Sequence, residues 1–136
     1  MLYYQIKVGV TPGSVPENDG ASAYDLDSAY RKFNKRAAGV EGRLARENGA
    51  RWALAIVNQS TTTSTVVMVC EVGTDWAQLV RSFYAALEVP VISVQASEVT
   101  QVELERALDE SDRMGSYRLQ DSDRWVRFGF RASRQG

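Results

Sequence analysis

The hydrophobic period of the chain changes in a set succession, and that succession limits the folds open to it. Residues 2–10 alternate, with Leu2, Tyr4, Ile6, Val8 and Val10 on one side and Tyr3, Gln5, Lys7 and Gly9 on the other, the period of a half-buried strand. Leu26, Ala29, Tyr30, Phe33, Ala37, Val40 and Leu44 then recur at helical spacing, which predicts one amphipathic helix over 22–47 with Asp25 and Asp27 in its first turn. Asn48 and Gly49 suit a left-handed C-cap. Two β-branched runs, RWALAIVNQ and STVVMVCEVG, flank a polar STTT segment and predict an antiparallel hairpin of central strands. A second helix follows, with Asp75 and Gln78 in capping-box spacing, an apolar face of Trp76, Leu79, Val80, Phe83, Ala86 and Leu87, and Pro90 as its stop. In VISVQAS the strand period returns, with Ile92, Val94 and Ala96 inward. Thr100 and Glu103 form another capping box, opening a helix to about Arg113 that buries Val102, Leu104, Ala107, Leu108 and Met114. The last segment, GSYRLQDSDRWVRFGFRAS, reads as a second hairpin turning at DSD.

With right-handed crossovers, β-α-β-β-α-β gives an α+β fold of ferredoxin-like arrangement: a split βαβ sheet with two helices on one face, here extended by a C-terminal helix and β-hairpin. At 136 residues and 44% apolar content the chain suits a single domain, 1–136. Its polar tail at 131–136 has the composition of a linker, which would fit the N-terminal module of a larger protein. That architecture hosts enzymes, RNA binders, sensors and assembly modules alike, so function must be argued from surfaces.

Composition removes several chemistries. Histidine is absent, which excludes Ser-His-Asp and Cys-His catalysis and His-ligated metal sites. Cys70 is the only cysteine; it makes no internal disulfide or Cys-based zinc site, and its apolar run predicts an inert core thiol. The loop over 11–22 lies between a strand and a helix, where phosphate cradles form, but it has no P-loop Lys and no G-x-G-x-x-G, and Pro12 and Pro16 remove two amide donors. It reads as a mobile connection or a partner-binding loop. Asp121 and Asp123 flank a turn, and Trp125 stands where an EF-hand would need an oxygen ligand. Glu103, Glu105, Asp109, Glu110 and Asp112 read as a solvated helix face. No cofactor or metal is implied, and a Mg²⁺-dependent carboxylate enzyme is the least supported function. The chain has no apolar run of about 18 residues and its first residues lack the pattern of a signal peptide, so no membrane association and a cytoplasmic location are expected. The triplet Asn58–Ser60 reads as a polar turn rather than a glycosylation site.

Charge is more informative in its distribution than in its total of −1. Residues 31–51 hold seven basic side chains (Arg31, Lys32, Lys35, Arg36, Arg43, Arg46, Arg51) against Glu41 and Glu47, an excess of five. Residues 98–112 hold six acids against Arg106, an excess of five in the opposite sense. Such patches favour pairing between the helices or docking between subunits. On the expected hairpin, Val126, Phe128 and Phe130 would face the core, leaving Trp125, Arg127, Gly129 and Arg131, with Arg118 across the turn, as an Arg-aromatic face able to stack on single-stranded nucleic acid. Because Trp, Tyr and Arg dominate interface energetics, Tyr3, Arg31, Arg36, Arg118, Trp125, Arg127 and Arg131 are the candidate partner-binding residues, whereas Trp52 and Trp76 are assigned to the core. The expected function is a non-catalytic interaction, assembly or recognition module that self-associates or binds a protein partner. Binding of RNA or single-stranded nucleic acid through the hairpin and the basic helix is the alternative.

Overall fold

The computed structural model describes residues 1–18, 27–113 and 122–131. Its elements run β1 (Leu2–Val10), α1 (Ala29–Glu47), β2 (Trp52–Gln59), β3 (Thr63–Cys70), α2 (Trp76–Ala86), β4 (Val91–Glu98), α3 (Gln101–Arg113) and α4 (Ser122–Arg127). The strands form one antiparallel sheet in the order β2-β3-β1-β4. Strand β3 is buried from Ser64 to Cys70, which explains its nearly unbroken apolar run: it is an inner strand covered on both faces.

Alternate residues of the sheet feed two separate cores. Ile6, Val8, Leu54, Ile56, Val66, Met68 and Cys70 face α1 and α2, meeting Ala37, Ala45, Leu79, Val80, Phe83 and Tyr84. On the opposite face Ala53, Ala55, Val67 and Val69 meet Leu104 and Leu108 of α3, Trp125 of α4 and Phe130. The two alanines of β2 leave room for the Trp125 indole, so the small residues of one strand match the largest side chain laid on it. Helices α2 and α3 start at the caps their sequences predict. Asp75 accepts from Gln78 N at 3.2 Å, and Thr100 and Glu103 form a reciprocal capping box at 3.1 and 3.2 Å. After α1 the C-cap Asn48 is followed by Gly49 at φ 78°.

Four expectations change. Helix α1 begins at Ala29 with Ser28 as N-cap and no acid in its first turn; Asp27 precedes the cap, while Asp25 and Leu26 lie outside the described residues. Ile92 is 68% exposed because the β1–β4 register shifts between Gly9 and Val10, so that Val91 packs against the core instead. Val102 is 67% exposed, since α3 seats only Leu104 and Leu108 deeply; Met114 lies outside the described residues.

The fourth change is the largest: residues 122–127 are helical, not a hairpin strand. Phe130 N donates to Trp125 O and Gly129 N to Val126 O, both at 3.0 Å, with Gly129 at φ 96°. This is a Schellman stop with Gly at C′, and its customary apolar contact is present, since the Phe130 ring lies edge-on to Trp125 at 5.5 Å. The alternation in RWVRFGF resembles a strand only because Gly129 and Phe130 belong to that stop rather than to a period of two.

Candidate interaction surfaces

The described part of the opening loop is fastened to the sheet. Gly13 N donates to Thr61 O and Asn18 N to Gln59 O, while Val15 is buried in the first core. Beneath it runs a polar chain. Ser64 Oγ donates to Gln59 Oε1 at 2.9 Å, which leaves Tyr84 OH to donate to Ser64 Oγ at 2.7 Å, and Gln59 Nε2 donates to Pro16 O at 2.7 Å. Burial pushes the Tyr84 hydroxyl far above its ordinary range, the Ser64 hydrogen bond opposing this only in part. The amides of Gly13, Ser14 and Asn18 are engaged by the chain's own carbonyls, which ties residues 11–18 to the sheet and leaves those amides unavailable to a phosphate. Residues 19–22 lie outside the described residues.

The candidate contact residues do not form one surface. Trp125 is 1% exposed and sits in the second core, so its face is not offered to a base. Arg131 is tied to Glu105, at 3.0 Å, and to Asp109 of α3, which raises its pKa through the Glu105 hydrogen bond and the Asp109 charge. Arg127 and Val126 are exposed on α4, the reverse of the hairpin expectation for Val126. Tyr3 is half-buried, its ring edge-on to Phe130 at 6.0 Å. Arg31 is buried in α1. Arg36 is exposed, yet it donates to Leu87 O at 2.5 Å and lies over Phe33, tying α1 to the end of α2. Arg118 lies outside the described residues. Trp52 is a core residue as expected, whereas Trp76 is half-buried beside Tyr4 at 5.4 Å. Cys70 is wholly buried, and burial raises its thiol pKa. The basic helix α1 and the acidic helix α3 pack on opposite faces of the sheet, so they do not neutralise one another.

The two edges of the sheet differ sharply, a property that one-dimensional patterning could not reveal. Along β2, Leu54 N donates to Glu41 Oε2 at 2.8 Å, Trp52 O accepts from Arg124 Nη1 at 2.6 Å, and Ile56 O accepts from Ser111 Oγ at 3.1 Å. Gln59 N donates to Asn18 Oδ1 at 2.9 Å. Glu41 and Arg124 are themselves joined as a buried ion pair, with the guanidinium 5.9 Å from the Trp52 ring centroid. A row of side chains from α1, α3, α4 and the opening loop therefore occupies the positions a fifth strand would take. Among the described residues no such row covers β4. Val99 N donates to Tyr3 O, which by antiparallel alternation turns the backbone groups of Val94, Ala96 and Glu98 away from β1, and these have no partner among the described residues. The strand carries no Lys, Arg or Pro between Val91 and Glu98.

A shallow groove of about 620 Å³ lies between α3 and the uncovered part of the sheet, lined by Gln5, Lys7, Thr65, Arg106, Glu110 and Ser111 among others. In it the Ser111 hydroxyl is engaged by Ile56 O. No group of three or more His, Cys, Asp or Glu side chains among the described residues is placed to hold a metal ion. Among those residues no helix is long and apolar enough to cross a membrane. No protein-family model, curated protein or solved structure matches this chain.

Proposed function

We propose that this chain is a non-catalytic assembly module of ferredoxin-like topology, and that it pairs with a second copy of itself through β4. The strand order β2-β3-β1-β4 supports reading the first six elements as a split βαβ unit. The observation that carries the functional reading is the inequality of the two edges. A row of unpaired amides and carbonyls is a template for another strand, and monomeric proteins guard such rows with charge, proline or a covering element. Among the described residues β2 is guarded along its length and β4 is not.

A second copy suits this edge because it brings an equally unguarded one. Antiparallel pairing centred on Gln95 sets Val94 opposite the partner's Ala96, and keeps Glu98, the only charge on the strand, away from its own counterpart. It also draws Ile92, 68% exposed, towards the interface. Light scattering over a concentration series tests this. Association that is lost in Ala96→Pro, where the missing amide points away from β1, and weakened in Ile92→Lys supports strand pairing. A monomer at every concentration, or association indifferent to both changes, overturns it.

A further inference from the structure

We propose that the solvent face of α1 is a docking surface for the phosphate backbone of a nucleic-acid duplex, a binding role separate from strand pairing at β4. Lys32, Lys35, Arg36, Arg43 and Arg46 are all exposed. At 3.6 residues per turn and 1.5 Å per residue they fall within an arc of about 100° along about 21 Å of helix. The chain as a whole has net charge −1, so this stripe is not the local expression of a basic protein.

The arrangement works against the helix that carries it. Lys32 with Lys35 and Arg36, and Arg43 with Arg46, are like charges three or four residues apart. Lys32 also stands near the positive end of the helix dipole, where the first turn has no acid to offset it. Two cations off the stripe are neutralised, Arg124 with Glu41 and Arg131 with Glu105 and Asp109. On the stripe, Glu47 beside Arg43 at 3.9 Å is the one acid in ion-pair reach among the described residues. A polyanion laid along the face relieves all of these repulsions together.

The chemistry of the stripe selects among polyanions. Protein interfaces and membrane insertion both need apolar or aromatic anchors, and the exposed large apolar residues among those described, Met1, Val72, Ile92, Val102 and Val126, all lie off α1. Single strands need aromatic faces for stacking; Tyr30 is buried and the half-buried Phe33 ring has the Arg36 guanidinium 5.6 Å from its centre. A duplex backbone needs cations and close approach only. Gly39, midway along the stripe, has no atom within 4 Å of where a Cβ would stand, which leaves the centre of the face open.

The test is fluorescence anisotropy of labelled random-sequence DNA and RNA duplexes, with a single strand of equal length, across a salt series. Sequence-independent duplex binding is expected, with log K falling against log salt at a slope of about −3.6 to −4.5 for four to five phosphate contacts. The variant K32E/K35E/R43E/R46E should lose at least about a hundredfold in affinity at low salt. Should that variant fold poorly, K35Q/R46Q should lower the magnitude of the slope by about 1.8. Ala96→Pro should bind like the parent, so a failure of strand pairing and a failure of this surface are read separately. Absence of duplex binding at low salt, unchanged binding in the stripe variants, or preference for the single strand overturns the proposal.

Discussion

Replacing Glu41 by Ala removes one end of the buried pair that seals β2. Two groups lose their Glu41 partner at once: the Arg124 guanidinium, with its side chain 5% exposed, which keeps its bond to the Trp52 carbonyl, and the Leu54 amide that Glu41 accepts from at 2.8 Å. Removing one partner of a buried ion pair costs about 3–5 kcal/mol, mainly because the remaining charge stays desolvated. Total stability for a domain of this kind is about 5–15 kcal/mol, so the loss is a large share of it. Arg124→Ala should be similarly severe, taking the ion-pair partner from the buried Glu41 carboxylate and the donor from the Trp52 carbonyl. The double variant Glu41→Leu/Arg124→Leu removes both charges of the pair and takes these partners from the Leu54 amide and the Trp52 carbonyl, at about 1–3 kcal/mol each. It should therefore lose much less than the sum of the single variants. Urea unfolding of all four proteins measures the cycle, and each single variant should lower the midpoint by about 2 M if the slope is about 1.5–2 kcal/mol per molar. Single variants within about 1 kcal/mol of the parent, or strict additivity, would refute the claim that the pair acts as a substitute strand.

Trp125→Ala should destabilise by about 3–5 kcal/mol, because the indole fills the second core between Ala53, Ala55 and Phe130; a stability change under about 1 kcal/mol would show the ring to be a surface group. Glu88→Gly should stabilise by about 1 kcal/mol, since Glu88 is exposed and holds φ 60° at the end of α2, where a Cβ is disfavoured; thermal unfolding reads the gain. Stability should fall as pH rises above about 9, because the thiol of Cys70 and the hydroxyl of Tyr84 have raised pKa values when folded. The unfolded chain loses those protons first and so binds fewer of them, which gives a negative slope of stability with pH. A flat stability profile to pH about 10.5 would contradict it.

The course of β1, β2, β3 and α2, the Asp75 cap and the Thr100–Glu103 capping box were legible in the sequence, because each depends on local period and on side chains that satisfy neighbouring amides. The absence of histidine and the solitary Cys70 narrowed the chemistry in the same direct way. What misled was the end of the chain. RWVRFGF alternates like a strand, and only the placement of Trp125 over the small side chains of β2, with Gly129 turning the backbone, shows a helix and its stop. The glycine after a short run containing Trp, followed by Phe, was the available signal.

Charges and amides that depend on distant partners lay beyond any local reading. Glu41 and Arg124 are 83 residues apart, and in a list of residues Glu41 merely lessens the positive excess of its helix. Tertiary packing made it the cap of Leu54, concealed Trp125 and Arg31, and left Lys32, Lys35, Arg36, Arg43 and Arg46 together in solvent. Sequence by itself determined which segments could bury a face, since that follows from the spacing of apolar side chains. Which strand edge is sealed and which is open was decided only in three dimensions, because the hydrogen bonds that close an edge come from side chains the sheet itself brings near.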